Sequence, residues 1–270
     1  MQDSIDASEM TGRAAAVLAS PLDWALFIDI DGTLIGMAPT PDAVTVPAGL
    51  VPLLGNLATG LDGAVALLTG RRIADADRLF APLRLAASGV HGTELRAELD
   101  GPVSSLAPPM PADLIEALND LRALADGILV EQKGAGMAVH YRNAAIAPRA
   151  LQTAVAGIVA NSSCDLALRP GRKVIEVVPK GYSKGTALVL LASRPPFKGR
   201  RPVMIGDDAG DEVALAAAER LGGLALRVAG EHFGPASADF AGVESVCAWL
   251  EALAARLAAT DPSSAARGQS

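Results

Sequence analysis

The sequence WALFIDIDGTL occupies residues 24–34 and contains the most informative pattern of the chain. Its first five residues are apolar without alternation, which is typical of a strand buried on both faces of a sheet. Asp29 follows this predicted strand directly, and Asp31 comes two positions later. In a parallel α/β sheet, ligands bind in the crevice beyond the carboxyl ends of the strands. The stretch therefore predicts a central strand that delivers two carboxylates to a ligand site.

Asp29 and Asp31 project to the same side of an extended chain, because side chains alternate along a strand. Two ionised carboxylates this close repel each other, and each is costly to desolvate without a partner. A divalent cation would offset both penalties, and Mg²⁺ prefers oxygen ligands. The alternative is an acidic turn after the strand, or a helix cap supplied by Asp31.

A second acidic cluster follows another apolar run in VMIGDDAGDE, residues 203–212. Asp211 could simply cap the next helix while Asp207 and Asp208 are solvated in the turn. However, so many acids within a few positions would repel strongly unless a cation lay among them. Two acidic clusters, each at the end of a predicted strand, favour a shared cation site.

Two further segments supply hydroxyl groups and positive charge. Thr69, Gly70 and Arg71 follow the apolar run 64–68, where a hydroxyl and backbone N–H groups at a helix start suit a phosphate oxygen. Lys184 lies beside a glycine just before an apolar helical segment. A surface lysine at that position would also be unremarkable.

The order of apolar segments predicts an α/β fold with an inserted α+β module. Strands alternate with helices of about a dozen residues, which is typical of a parallel sheet. Residues 102–180 instead follow the order helix, hairpin, helix, hairpin. We therefore divide the chain into an N-terminal extension (1–20), a core (21–101 and 181–258), a module (102–180) and a flexible tail (259–270).

Composition limits the partners and the compartment. The chain has 270 residues and a net charge of −7, which argues against nucleic acid or an anionic membrane as the main partner. No apolar run reaches the roughly 18 residues of a membrane span. Cys164 and Cys247 form no CxxC pair, which suits a reducing compartment. We expect a cytoplasmic protein that acts as a monomer on a small molecule.

Four short motifs, in this order, resemble those of phosphatases of the haloacid-dehalogenase (HAD) superfamily. They are DIDGTL at 29–34, TGR at 69–71, SKG at 183–185 and GDDAGDE at 206–212. The resemblance extends over about residues 22–250. It implies a Rossmann-like parallel-sheet core with an inserted C2-type α+β cap domain, which is the module described above.

The resemblance also implies catalytic roles. Asp29 would be the nucleophile that forms an aspartyl-phosphate, and Asp31 the general acid and base. Thr69 and Lys184 would hold the phosphoryl group. Phosphate monoesters hydrolyse very slowly unaided, so such a site must supply a very large reduction of the barrier.

A magnesium site is implied as well. Mg²⁺ would be bound by Asp29, by Asp207 and by the backbone carbonyl of Asp31. Asp208 and Asp211 would be accessory acids. Gly210 stands where this group of phosphatases usually has threonine, which is expected to loosen the loop that carries Asp211.

Within the superfamily, the chain most resembles the trehalose-6-phosphate phosphatase family. The resemblance rests on GVHGTELR at 89–96, VHYRN at 139–143 and RKVIEVVP at 172–179. It implies hydrolysis of trehalose 6-phosphate to trehalose and phosphate, a step of trehalose biosynthesis. Thr69 replaces a common serine in the second motif and keeps the hydroxyl.

A disaccharide phosphate presents many hydroxyls, so its recognition requires paired polar groups. Closure of the cap over the core would also exclude water from the reactive acyl phosphate. Each charged cap residue has the alternative of a solvated surface position, and His140 that of an interior histidine. The candidate substrate contacts are Gly70, Arg71, His91, Gly92 and Glu94 in the core and Lys133, His140, Arg142, Lys173 and Glu176 in the cap.

Two other functions stay open at this point. One is a HAD phosphatase for another sugar phosphate, such as sucrose phosphate or mannosyl-phosphoglycerate. The other is an inactive subunit that senses sugar phosphates or assists a synthase. A silent relative could lose any catalytic residue, whereas Asp29, Asp31, Thr69, Lys184 and Asp207 are all present.

Overall fold

The computed structural model describes residues 12–38, 44–171 and 173–260, apart from the side chain of Pro170. Residues 1–11 of the predicted extension and 261–270 of the predicted tail therefore lie outside the described residues. The remainder of the extension forms helix α1, Gly12–Ala19. The last helix continues to Thr260, slightly beyond the predicted start of the tail.

The core is built on a seven-stranded sheet, and this confirms the α/β class. Its strands are β1 Trp24–Ile28, β2 Val65–Leu68, β3 Ala86–Gly89, β4 Glu94–Arg96, β5 Ser104–Ser105, β10 Arg201–Gly206 and β11 Leu224–Arg227. Their spatial order is β11-β10-β1-β2-β3-β4-β5. All five residues of the central strand β1 are buried, as its unbroken apolar sequence predicts.

The sheet is mostly parallel, as predicted, and two strands at one edge are antiparallel. β4 pairs antiparallel with β3, and β5 antiparallel with β4. These strands have only three and two residues, too few to show an alternating pattern in the sequence. β5 belongs to the core sheet, and the first helix of the module begins after it, at Ala112. The boundary at residue 102 stays a prediction.

The described part of the core also contains six helices. They are α1, α2 Leu50–Gly60, α3 Ile73–Leu79, α6 Lys184–Ala192, α7 Glu212–Arg220 and α8 Val243–Thr260. Their apolar side chains and those of the sheet form one hydrophobic cluster. Among the described residues, none of the helices has the length and apolar character needed to cross a membrane.

The inserted module has a four-stranded antiparallel sheet and two helices, as predicted. The strands β6 Leu129–Lys133, β7 Gly136–His140, β8 Leu166–Gly171 and β9 Val174–Pro179 have the order β6-β7-β9-β8. The helices are α4 Ala112–Asn119, which continues as a 3₁₀ turn over Asp120–Leu124, and α5 Pro148–Ala160. Helices and sheet share a second hydrophobic cluster, separate from that of the core. We propose that this module, the cap, is a separate unit.

Candidate active site

Three neighbouring parallel strands end at the predicted motifs. β1 leads into Asp29, β2 into Thr69 and β10 into Asp207, and β1 lies between the other two strands. The N–H of Asp29 still donates to the carbonyl of Ile205 on β10, at 3.0 Å. The parallel sheet therefore brings the first, second and fourth motifs to one edge.

A buried lysine joins Asp29 to the fourth motif. Nζ of Lys184 donates to Oδ1 of Asp29 at 2.6 Å and to Oδ1 of Asp211 at 2.7 Å. All three residues are less than 5% exposed. Lys184 is the first residue of α6, whose start is fixed by a capping box between Ser183 and Thr186. One ammonium group thus holds two carboxylates in the interior, and a contact of Lys184 with a phosphoryl group stays a prediction.

Asp211 organises the loop after β10. Its Oδ2 accepts hydrogen bonds from the backbone N–H groups of Asp207 and Asp208, at 3.1 and 3.2 Å. In return, Oδ1 of Asp208 accepts from the N–H of Asp211 at 3.1 Å. A Cβ at Gly206 would come within 2.5 Å of the Asp211 carboxyl carbon, so only glycine fits there. Asp211 is therefore firmly held even with glycine at position 210.

The first motif positions Asp207. The hydroxyl of Thr33 donates to Oδ1 of Asp207 at 3.1 Å. Gly32 has a φ of +89°, and a Cβ there would come within 2.2 Å of Oδ2 of Asp207. The glycine that follows Asp31 thus permits the close approach of the two acidic motifs.

Burial changes the protonation of this cluster. Burial and the charge of Asp211 raise the pKa of Asp29 well above its usual value, although Lys184 opposes the shift. Burial, followed by the charges of Asp211 and Asp208, raises the pKa of Asp207 to about 7. Burial by itself would lower the pKa of Lys184, but Asp211 and Asp29 raise it well above normal. The acids outnumber the lysine, so the cluster favours a further cation.

The acidic cluster fits a divalent metal ion. Asp29, Asp207 and Asp211 each offer a carboxylate oxygen, and these oxygens all lie within 4.8 Å of one another. Such all-oxygen donor sets suit Mg²⁺. Asp31 was expected to contribute only its backbone carbonyl, and that contact stays a prediction.

The carboxylate of Asp31 forms a two-point ion pair that the sequence analysis missed. Nε of Arg71 donates to Oδ2 at 2.7 Å and Nη2 to Oδ1 at 2.6 Å. The N–H of Arg71 also donates to the hydroxyl of Thr69, at 3.1 Å. Arg71 was expected to bind substrate; in this structure it orients the candidate general acid.

The segment after β3 approaches the same site with strained backbone. Val90, His91 and Gly92 have φ values of +46°, +52° and +106°. Non-glycine residues in this left-handed region cost about 1–3 kcal/mol each and occur mainly at functional sites. A Cβ at Gly92 would lie 2.5 Å from the carbonyl oxygen of Ser183, so Gly92 is needed for close packing. Its contact with substrate stays a prediction.

Glu94 and His91 both reach the cap. Oε2 of Glu94 accepts from the N–H of Ile73 at the start of α3, at 2.8 Å. A Cβ at Gly134, in the turn between β6 and β7, would lie 2.9 Å from Oε1 of Glu94. Nε2 of His91 lies 2.6 Å from Oε2 of Glu176 on β9. The predicted core and cap residues are thus brought together.

The cap sheet presents a polar face on the side away from its hydrophobic cluster. The backbone register aligns Glu131, Ala138, Glu176 and Arg169 across the four strands. Lys133 belongs to the same face, because it lies two positions from Glu131. We call this set of charged residues the cap face.

Ion pairs connect the cap face. Nζ of Lys133 lies 3.8 Å from carboxylate oxygens of both Glu131 and Glu176. Nε2 of His140 lies 3.2 Å from Oε2 of Glu131. Burial alone would raise the pKa of Glu176, but His91 and Lys133 lower it to about 2. Glu176 is therefore a stable anion beside cationic groups, which suits the recognition of sugar hydroxyls.

Two predicted cap contacts lie apart from this set. Arg142 follows the end of β7 and is exposed. Lys173 lies in the turn between β8 and β9, with Nζ 5.9 Å from the ring centroid of Tyr141. This end of the cap sheet is opposite the turn at Gly134 that meets Glu94. A substrate contact of Arg142 or Lys173 stays a prediction that these positions do not support.

The sequence analysis did not single out Glu131 or Arg169. Glu131 could have been found from its spacing of two from Lys133, since both then point to one face. Arg169 could have been found from the β8–β9 hairpin, whose register aligns it with Glu176. Arg169 also donates to the carbonyl of Tyr182 at 2.6 Å, next to the third motif.

The chain is similar in sequence to known proteins over most of its length. The family model "Trehalose-phosphatase" matches residues 27–233. A "probable trehalose-phosphate phosphatase" of Sinorhizobium fredii is 41% identical over 79% of this chain and 81% of its own length. The "trehalose-6-phosphate phosphatase" of Escherichia coli is 38% identical over 87% of this chain and 88% of its own length.

The fold has counterparts among solved structures. A phosphatase of the haloalkanoate (HAD) enzyme superfamily from Bacteroides thetaiotaomicron aligns with a TM-score of 0.60. It is 17% identical and covers 88% of this chain and 96% of its own, so this likeness concerns the fold alone. The four motifs, the architecture and the sequence matches agree: the chain belongs to the trehalose-phosphatase family.

Proposed function

We propose that this protein is a Mg²⁺-dependent phosphatase that releases trehalose and inorganic phosphate from trehalose 6-phosphate. Membership of the trehalose-phosphatase family supports the substrate. The observation that carries the chemistry is the buried Asp29, which Lys184 holds beside the carboxylates of Asp207 and Asp211. The two unpaired cysteines suit action in the cytoplasm.

The proposed reaction has two displacements at phosphorus. An oxygen of Asp29 attacks the phosphorus atom, the bond to the sugar oxygen breaks, and Asp31 gives that oxygen its proton. This releases trehalose and leaves an aspartyl-phosphate on Asp29. Asp31 then takes a proton from water as the water oxygen attacks the same phosphorus. The P–O bond to Asp29 breaks, which releases phosphate and restores both aspartates.

The surrounding groups supply charge and orientation. Arg71 holds the Asp31 carboxylate by two hydrogen bonds, which orient it beside the site. One of these hydrogen bonds has to open before that oxygen can carry the proton that Asp31 gives to the sugar. The ammonium of Lys184 and the hydroxyl of Thr69 are the groups expected to stabilise the phosphoryl oxygens. When bound by Asp29, Asp207 and the Asp31 carbonyl, Mg²⁺ would neutralise charge between the carboxylate and the phosphate.

The cap face is the proposed sugar site. Glu131 and Glu176 can accept hydrogen bonds from sugar hydroxyls, and Lys133 and His140 stand beside them to donate. A disaccharide has little apolar surface, so such paired polar groups provide its specificity.

The variant Asp29→Asn tests the nucleophile. We expect its turnover of trehalose 6-phosphate, measured as released phosphate, to fall by at least about 10³-fold because the amide is a poor nucleophile. Its circular dichroism spectrum should match that of the wild type. Asp62→Asn is the matched control, since Asp62 pairs with Arg200 and its side chain is 80% exposed. Wild-type turnover by Asp29→Asn would rule out the mechanism.

A panel of substrates and metals tests the remaining parts of the proposal. Trehalose 6-phosphate should be hydrolysed faster than sucrose phosphate and mannosyl-phosphoglycerate. Activity should disappear with EDTA and return with excess Mg²⁺. Full activity in EDTA would contradict the magnesium assignment, and a preference for another sugar phosphate would contradict the substrate.

A further inference from the structure

The imidazole of His91 lies between the phosphate-binding motif and the cap. On one side, Nε2 is 2.6 Å from Oε2 of Glu176 in the cap face, and both side chains are only 15% exposed. On the other side the ring packs on Gly70, because a Cβ there would come within 2.7 Å of the ring atoms Cε1 and Nε2. Gly70 therefore has a specific reason to be glycine: any side chain would displace the histidine.

The backbone at His91 is tied to the same motif. The N–H of Val90 donates to the carbonyl of Arg71 at 2.9 Å, and the N–H of His91 to the carbonyl of Thr69 at 3.2 Å. Val90 and His91 hold left-handed φ angles that are unfavourable for both residue types. A strained segment of this kind persists only where the surrounding structure stabilises it. Here the strained backbone places the imidazole of His91 against the cap.

The groups that face Glu176 come from both the core and the cap. Glu176 faces His91 from the core and Lys133 and Arg169 from the cap sheet. Another core contact of the cap, Glu94 against Gly134, also involves the segment that follows β3. Other described carboxylates of the cap face, such as Glu131, pair within the cap.

We propose that His91 is a positioning residue that couples closure of the cap to the geometry of the Thr69–Arg71 loop. This inference rests on the proposed function, because it assigns the sugar to the cap face and the phosphate to the loop. In the closed arrangement described here, Glu176 contacts the imidazole of His91, and the imidazole supports the loop through Gly70. A sugar bound to the cap face stabilises this arrangement. Binding energy from the sugar is thereby used at the phosphoryl group, which raises turnover as well as affinity.

The variant His91→Asn tests the coupling without substrate. Asparagine tolerates a positive φ, so the backbone can be kept while the ring and its contacts are lost. We expect amide hydrogen exchange in the cap turn, residues 132–137, to become about tenfold faster, because a contact that holds the cap against the core is lost. His232→Asn is the matched control, because it removes a 2.7 Å contact to Glu212 within the core.

Glu176→Gln and the double variant give an independent check. Glu176→Gln should speed exchange in the same turn, and His91→Asn should add little in its background, since both remove one contact. Independent, additive effects of the two substitutions would overturn the proposal, as would unchanged exchange in both single variants.

Kinetics separate coupling from local packing. With trehalose 6-phosphate, His91→Asn should lower kcat/KM by about tenfold, including a loss in kcat. With p-nitrophenyl phosphate, which has no sugar, the loss in kcat/KM should be smaller, because only the support of the loop is removed and not its coupling to a bound sugar. An equal loss with both substrates would mean that His91 only packs the loop, and would overturn the coupling. If the wild type hydrolyses no sugar phosphate, the proposed function fails, whereas the exchange result still stands.

Discussion

Gly32 shows how one backbone position controls the acidic cluster. Its φ of +89° is open mainly to glycine, and a Cβ would meet Oδ2 of Asp207 at 2.2 Å. We expect Gly32→Ala to lower turnover at least about 100-fold and to destabilise the protein by about 1–2 kcal/mol, because Asp207 has to move. Phosphate release and chemical denaturation measure the two effects.

Gly36 offers the matched control in the same loop. A Cβ at Gly36 would have no heavy atom within 4 Å, and its φ is not positive. Gly36→Ala should therefore leave turnover and stability within about twofold and about 0.5 kcal/mol of the wild type. A similar loss in both variants would show that the loop, rather than Asp207, is the sensitive element.

Asp207 makes the stability of the metal-free protein depend on pH. Its pKa is about 7 in the folded protein and 3.8 ordinarily, so the folded state keeps a proton that the unfolded state has lost. The contribution of Asp207 is thus most favourable below pH 3.8 and is lost as the pH rises through about 7. At pH 8 in EDTA, we expect Asp207→Asn to be about 2 kcal/mol more stable than the wild type. This value is about half of the free energy that corresponds to the full pKa shift, because Asp207 is partly solvated.

Mg²⁺ should reverse the order of stability of the wild type and Asp207→Asn. Mg²⁺ competes with the proton for Asp207, so adding it should raise the Tm of the wild type at pH 8 and leave that of Asp207→Asn nearly unchanged. Differential scanning fluorimetry at pH 5.5 and pH 8, with EDTA or Mg²⁺, measures both effects. Equal responses of the two proteins to Mg²⁺ would exclude Asp207 as a ligand.

At the scale of the element, the start of α6 determines where Lys184 points. Ser183 accepts a hydrogen bond from the N–H of Thr186 at 3.0 Å, and Lys184 is the next residue. Ser183→Ala should cost about 1 kcal/mol of stability and lower turnover several-fold, because the first turn frays. Ser193→Ala, at the other end of the helix, should cost less than about 0.5 kcal/mol. Denaturant unfolding compares the stabilities of the two variants. Equal losses would contradict a special role of the capping hydrogen bond of Ser183.

The elements themselves were largely predictable where their periodicity is long. The predicted strand at 24–28 and the helix starting at Lys184 agree with the structure. The first helix predicted in the module ends at Asn119 and continues as a 3₁₀ turn, which the sequence does not separate because the two forms have similar apolar spacing. β5 was missed because a two-residue strand is stabilised by its neighbour rather than by its own pattern.

At the scale of the whole molecule, Glu176 links the cap to the core and makes that link sensitive to acid. Its pKa is about 2 in the folded protein and 4.5 ordinarily. The stabilisation it provides is therefore complete above pH 4.5 and is lost as the pH falls towards 2. When the pH falls from 6 to 2.5, the free energy of unfolding should decrease less in Glu176→Gln than in the wild type. The two decreases should differ by at most ~3 kcal/mol. Urea unfolding at several pH values measures this difference, and parallel pH curves would disprove it.

The class of fold, the order of the four motifs and the identity of the acids in the core could all be predicted from the amino-acid sequence alone. These features depend on covalent order and on local apolar periodicity, which any reader of the chain can follow. Asp29, Lys184 and Asp207 could be chosen in this way, since each stands next to an apolar segment that forms a strand or helix.

Which charged side chains contact each other could not be predicted without the folded structure. Arg71 engages Asp31 across 40 positions, and His91 meets Glu176 across the boundary between core and cap. Such contacts depend on strand register and on how two separately packed units dock, and neither is encoded in a local pattern. Pairing of charged side chains is therefore a property of the assembled fold, whereas the presence of those side chains is a property of the sequence.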